Sequence, residues 1–245
     1  LPFIVVNENF DATHLSLLEM INKGKNDLFL RYSRVLNPII GQTQLSDSSW
    51  LSSPNSKMLG SADNLYMRYR FKYQNHLSFG ITTEKDAGET FLGNPQSQKL
   101  FNLQRPKGFD FYSAHFFLKE VGKIDVLAIG DYHIQLGQGL TFWSGLAMGK
   151  SSNVMSLKRS AVGIKPYASI DENSFLRGGA FSMKFKKFKL LGFASKKNID
   201  ANIIQDTTAQ DGSLIVSSFQ ASGIHSTIGE IEDKDAIEEN IIGGE

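Results

Sequence analysis

The residues best placed to do chemistry lie between positions 130 and 145. Asp131, His133 and Gln135 recur at every second position, and Gly137-Gln138-Gly139 follows them. A histidine beside a carboxylate can shuttle protons or hold a metal. On a strand, however, residues two apart lie about 6–7 Å apart along one face, which suits neighbours on a wall better than a closed ligand set. The trio is therefore read as a polar lining, and the glycines as a bulge or a close backbone approach. Gly137-x-Gly139 lacks the third glycine of a dinucleotide fingerprint, and Trp143-Ser144-Gly145 lacks the first glycine of a nucleophile elbow. Ser113 and His115 share a strand face, which a polar lining explains without a triad. Asp171-Glu172-Asn173 offers oxygens to a calcium ion, but reads more simply as the polar turn into Phe175. The reading is of a chain without enzymatic residues, metal ligands or a cofactor.

A second set is cationic. Arg68, Arg70 and Lys72 occupy alternate positions, so three charges share one face of a strand. Lys184, Lys186, Lys187 and Lys189 surround a turn, whereas Lys196 and Lys197 lie at the far end of the same hairpin. The lysines thus form two groups, and Lys196 and Lys197 are expected to meet anionic lipid, with lipopolysaccharide phosphates as a natural partner.

The elements that hold these residues show period two. In Leu65–Tyr73 the odd positions are Leu, Met, Tyr, Phe and Tyr, while 68, 70 and 72 are basic. Only a strand separates them so cleanly. Leu77, Phe79 and Ile81 complete a hairpin. A second hairpin pairs Tyr112–Leu118 with Ile124–Leu136, and a third runs from Phe175 to Ser195. With an earlier strand from Leu28 to Val35, seven strands are expected. Asp86–Gly108 and Asn198–Ile224 read as long polar loops. Short turns at one end and long loops at the other suit an up-and-down antiparallel sheet. Ser16-x-x-Glu19 opens a short helix that Gly24 stops, and Glu230–Asn240 has helical charge spacing.

Composition excludes several classes. The 245 residues carry 26 Lys+Arg and 25 Asp+Glu, a net charge of +1, so bulk charge does not make this a nucleic-acid binder. With no cysteine there is no disulfide scaffold and no thiolate zinc site. No run of about 18 apolar residues offers a membrane-spanning helix. Strands can still cross a bilayer, and about 9–11 residues suffice. The lengths of the expected strands, the rings of Tyr73, Tyr112, Phe142 and Trp143 at strand ends, and a basic inner row all lean towards lipid on the apolar face. A soluble β-barrel enclosing an apolar ligand would show the same alternation.

Four segments resemble an uncharacterised family of Gram-negative outer-membrane β-barrel proteins. They are Gly130–Gly145, Thr83–Glu89, Ile164–Gly178 and Ser222–Thr227. The resemblance implies an all-β, antiparallel up-and-down membrane barrel in the outer membrane, with porin-like transport or anchoring as its role and outer-membrane lipid as its surroundings. It also implies an upstream helix-hairpin-helix module, similar to those of DNA-uptake proteins, through which DNA would be a partner. That module is absent here, and residues 1–27 read as a connector or plug-like segment with a short helix. Residues 28–245 then form an incomplete barrel, a fragment of a larger wall. Its lumen would be lined by Arg68, Arg70, Lys72, Asp131, His133 and Gln135. Glu84 and Asp131 are expected to face the three basic residues.

Overall fold

A computed structural model describes residues 16–37, 41–42, 45–103, 107–139, 142–144, 161–205 and 214–245. Most of the connector expected at 1–27 therefore lies outside the described residues. Among the described residues strand makes up 50% and helix 14%, which places the fold in the all-β class. The strands are β1 (Lys25–Arg34), β2 (Asp63–Tyr73), β3 (Leu77–Lys85), β4 (Phe111–Val121), β5 (Ile124–Gln135), β6 (Gly163–Pro166), β7 (Leu176–Phe185), β8 (Phe188–Ile199), β9 (Ala201–Gln205), β10 (Leu214–Phe219) and β11 (Ile237–Gly244). Short helices are α1 (Leu17–Lys23), α2 (Asp47–Ser52), α3 (Pro95–Phe101) and α4 (Ile228–Glu232). A nine-stranded sheet has the order β1-β2-β3-β4-β5-β7-β8-β11, with β6 beside β5, and β9 and β10 form a separate hairpin. All pairings are antiparallel. Among the described residues β1 pairs only with β2 and β11 only with β8, so the sheet is not closed into a barrel.

The three hairpins form as their alternation requires, and their turns share one end of the sheet. The expected count of seven strands is low. Glu230–Asn240, whose charge spacing suggests a helix, is helical only at its start: α4 ends at Glu232, and Ile237–Gly244 is a strand. The acidic residues that mimic helical spacing instead lie beside the lysines of β8: Glu238 pairs with Lys196 at 2.8 Å and Glu239 is in register with Lys197. The loop expected over 198–224 likewise contains β9 and β10. Ser16 caps α1 in a reciprocal box with Glu19, and the helix stops at Gly24 as expected.

The register separates two faces. One is apolar on every strand: a cross-strand row runs Phe71, Phe79, Phe116, Ile129, Gly179, Ala194 and Ile242. Most charges on this face lie towards the ends of the strands, as with Arg34, Lys85, Lys196 and Glu238, and the Asp131–Arg177 pair enters it where β5 leaves β4. The helix α1 covers its hairpin-turn end, where Met20 is buried against Phe71, Tyr73, Leu77 and Leu118. The other face is mixed. On β1 to β4 it carries Asp27, Arg31, Arg68, Arg70, Ser78, Thr82, Ser113 and His115. On β4 to β8 it carries Phe117, Val126, Ala128, Ala180, Leu191 and Phe193.

That second patch is covered by an arm of the same chain. The β4–β5 ladder ends at His115 and Gly130. Gly130 has φ +92°, and a Cβ there would meet the Ala114 carbonyl oxygen at 2.2 Å, so only glycine fits this departure. Beyond it, β5 pairs with β6 and is flanked by Ser144, whose N–H donates to the Ile134 carbonyl at 2.8 Å. Ile134, Ile164, Leu136 and Phe142 pack into the cluster formed by Val126, Ala128, Ala180, Leu191 and Phe193, with the Phe142 and Phe193 rings 5.2 Å apart. The arm therefore lies on the mixed face and completes the largest apolar cluster, to which the sheet contributes the greater part.

Candidate functional site

The six lumen candidates do not form one row. Arg68 and His133 border the same recess on the mixed face. Arg70 shares that face, where it pairs with Asp27 at 3.0 Å. Lys72 sits towards the hairpin turn, exposed, in register with Lys25 and Ser78. Asp131 faces none of the three basic residues. Its carboxylate is gripped by Arg177, with Nε at 2.7 Å and Nη2 at 2.9 Å, and accepts the Ala114 N–H at 3.2 Å. It thus replaces the strand partner that Ala114 loses where β5 departs. Glu84, expected opposite the basic row, lies 3.5 Å from Arg31 of β1 instead. Gln135 is on the arm, beside Gly163 and Leu191. The single polar row breaks because Gly130 ends the wall in mid-strand.

The lysines divide in a similar way. Lys184 and Lys189 both pair with the buried Asp125 across their hairpin. Lys196 is exposed and tied to Glu238. Lys197 is buried, donates to the Asn173 carbonyl at 2.7 Å and lies over the Phe175 ring. Lys196 and Lys197 therefore do not present one cationic patch to lipid, because successive strand residues point to opposite faces.

The densest chemistry lies at the loop end of the sheet, among residues far apart in sequence. Asp110 precedes β4, Asp200 links β8 to β9, His225 precedes α4 and Lys234 follows it. His225 is fully buried, with Nδ1 2.5 Å from Asp110 Oδ2 and Nε2 3.1 Å from Asp200 Oδ2. Carboxylates only accept, so each ring nitrogen donates and the ring is an imidazolium. Burial pulls the His225 pKa down, but the hydrogen bonds to Asp110 and Asp200 outweigh it and raise it to about 9. Lys234 Nζ donates to Asp110 Oδ2 at 2.6 Å. The His225 N–H donates to Glu89 Oε1 at 2.9 Å, and the other Glu89 oxygen takes the Asp86 N–H at 2.8 Å. Burial, with help from Asp110, pushes Glu172 up to about 8.

Two groups here have the composition of metal sites: Glu89, Asp110 and His225, and Glu172, Asp200 and His225, with candidate ligand atoms within 4.8 Å of one another. A metal would have to displace the imidazolium proton and lie beside the Lys234 ammonium. With both nitrogens engaged and no nitrogen left as a base, the arrangement is an ion-paired clasp. Three backbone N–H groups tie the connections around it: Leu59 N–H donates to the Ser226 carbonyl at 2.8 Å, Gly60 N–H to the Gly88 carbonyl at 2.7 Å, and Asp235 N–H to Asp200 Oδ1 at 2.9 Å. Trp50, Leu59 and Ile228 form the apolar support beneath, with α3 residues packed on them. Sequence reasoning misses this clasp because Asp110 and His225 are 115 positions apart. Only the Thr227-x-x-Glu230 box, which caps α4, marks its place locally. No family model, curated protein or solved structure matches the chain.

Proposed function

We propose that the chain is part of the wall of an outer-membrane β-barrel, with a porin-like transport or anchoring role. The observation that carries this reading is the bare apolar face. Leu28 is 64% exposed, Leu30 66%, Ile129 53%, Phe181 40% and Ile242 85%. Contiguous apolar surface on this scale needs an apolar neighbour. A hydrocarbon layer accommodates it, and β1, β2, β4, β5, β7 and β8, of 10–12 residues each, are long enough to cross one when tilted. Exposed rings near both ends, Tyr32 and Tyr112 towards the loops and Phe185 and Phe188 at a turn, suit the two interfaces. The arm then fills the interior side as a plug.

A soluble barrel holding an apolar ligand requires those same rows to enclose a cavity. Many of their residues lie open instead, and a 490 Å³ recess walled by two arginines is on the mixed face. The test is membrane fractionation of the full chain, followed by electrophoresis with and without heating. Extraction only by detergent, with faster migration when unheated, is expected. A protein that stays in the aqueous fraction and migrates identically in both lanes overturns the reading.

A further inference from the structure

We propose that the recess between β1, β2 and the end of the arm binds an organic anion with a planar apolar body. The recess has a volume of 490 Å³ and is walled by Phe29, Arg31, Tyr66 and Arg68 on one side and by His133 and the Tyr167–Ile170 segment on the other. The β1–β2 register builds the first wall, since Phe29 opposes Arg68 and Arg31 opposes Tyr66. The two rings meet edge to face at 5.7 Å. The Arg31 guanidinium lies 5.0 Å from the Tyr66 ring and that of Arg68 5.9 Å from the Phe29 ring. Two cations thus flank two rings on one surface.

The charge balance selects an anion. Among the described residues that line the recess, only Arg31 and Arg68 are charged. Among the described residues Arg31 forms one ion pair, with Glu84 at 3.5 Å, and half of its side chain is exposed. Arg70, the next cation along the face, is already matched by Asp27. On the opposite wall, His133 Nδ1 is buried without a hydrogen-bond partner, and its ring stands edge-on to Tyr167 at 4.9 Å. A carboxylate or phosphate accepts from both guanidiniums, while the rings of Phe29, Tyr66 and Tyr167 cover a flat apolar body. The site stands on the mixed face alone, so it is judged separately from the membrane reading.

Calorimetric titration of the full chain in a mild non-ionic detergent, with phenyl phosphate, inorganic phosphate and phenol as probes, tests it. Phenyl phosphate is expected to bind one to one and more tightly than either fragment. Arg68→Gln and Arg31→Gln are each expected to weaken it about tenfold, the loss of one charge-assisted hydrogen bond. Phe29→Leu, which keeps both charges, should weaken phenyl phosphate more than inorganic phosphate. Lys99→Gln on α3, which lines no part of the recess, should leave binding unchanged. Absence of saturable binding by the unmodified chain overturns the proposal. So does equal affinity for phosphate and phenyl phosphate, or an equal effect of Lys99→Gln.

Discussion

His225 joins connections that the chain separates by more than a hundred residues, and its environment makes the joint pH-dependent. Its folded pKa, about 9, lies above its ordinary value of 6.5. Its contribution is therefore complete below about pH 6.5 and is lost as pH rises through about 9. Glu172 adds to this in the same direction. With a folded pKa of about 8 against an ordinary 4.5, its contribution is complete below about pH 4.5 and lost as pH rises towards 8. Asp200 acts oppositely: burial raises its pKa, but the hydrogen bond from His225 leads a set that lowers it overall, so its contribution fades in acid. Thermal melts at pH 6 and pH 10 should show a marked loss of stability at the higher value. In His225→Gln that loss should shrink, and at pH 6 the variant should be less stable by about 3–5 kcal/mol, the usual cost of breaking a buried ion pair. An unchanged pH profile in the variant would assign the loss to other groups.

At the scale of elements, the departure of β5 from β4 organises the interior. Gly130 has a positive φ and a backbone carbonyl within 2.2 Å of a would-be Cβ. Gly122, in the β4–β5 turn, has φ +61° and open space around it. Gly130→Ala should therefore cost about 2–3 kcal/mol or more, from strain and clash together, and Gly122→Ala about 1 kcal/mol, from strain alone. Denaturant midpoints of the two variants give the comparison. The helix α1 offers a second test. Met20 fills the apolar face between Phe71 and Leu118, so Met20→Ala should cost about 2–5 kcal/mol by leaving a cavity. A cost below about 1 kcal/mol would mean that α1 is not held there in solution.

For the whole molecule, the two faces make opposite demands. On the membrane reading, Met67 lies on the apolar face near the middle of β2, and Met67→Arg should cost about 2–4 kcal/mol and block assembly. Arg70 lies on the other face in an exposed pair with Asp27, worth about 0–1 kcal/mol, so Arg70→Ala should assemble normally and alter conductance. Heat-modifiable protein recovered from membranes measures the first effect and planar-bilayer current the second. Equal tolerance of both substitutions would place the apolar face against something other than lipid.

The alternation of residues by itself determined the local structure. Leu65–Tyr73 can segregate its apolar and basic side chains only as a strand, and the short polar breaks at Gln74–His76, Lys119–Lys123 and Lys186–Lys187 place the hairpin turns, although Lys119–Val121 are the end of β4 and only Gly122–Lys123 turn. Ser16, Glu19 and Gly24 likewise determine α1, because a cap needs only neighbours. Tertiary structure decided the rest. The charges of 230–240 fit a helix until β11 lays Glu238 and Glu239 beside the lysines of β8. Asp131 belongs with Arg177 because Gly130 breaks a ladder that the two-residue period alone would continue. Period two separates the faces of a strand but does not say what covers each one. The arm over Leu191 and Phe193, the recess beside Arg68 and the clasp around His225 all depend on contacts between distant segments, whose partners are chosen by shape and burial once the sheet has formed.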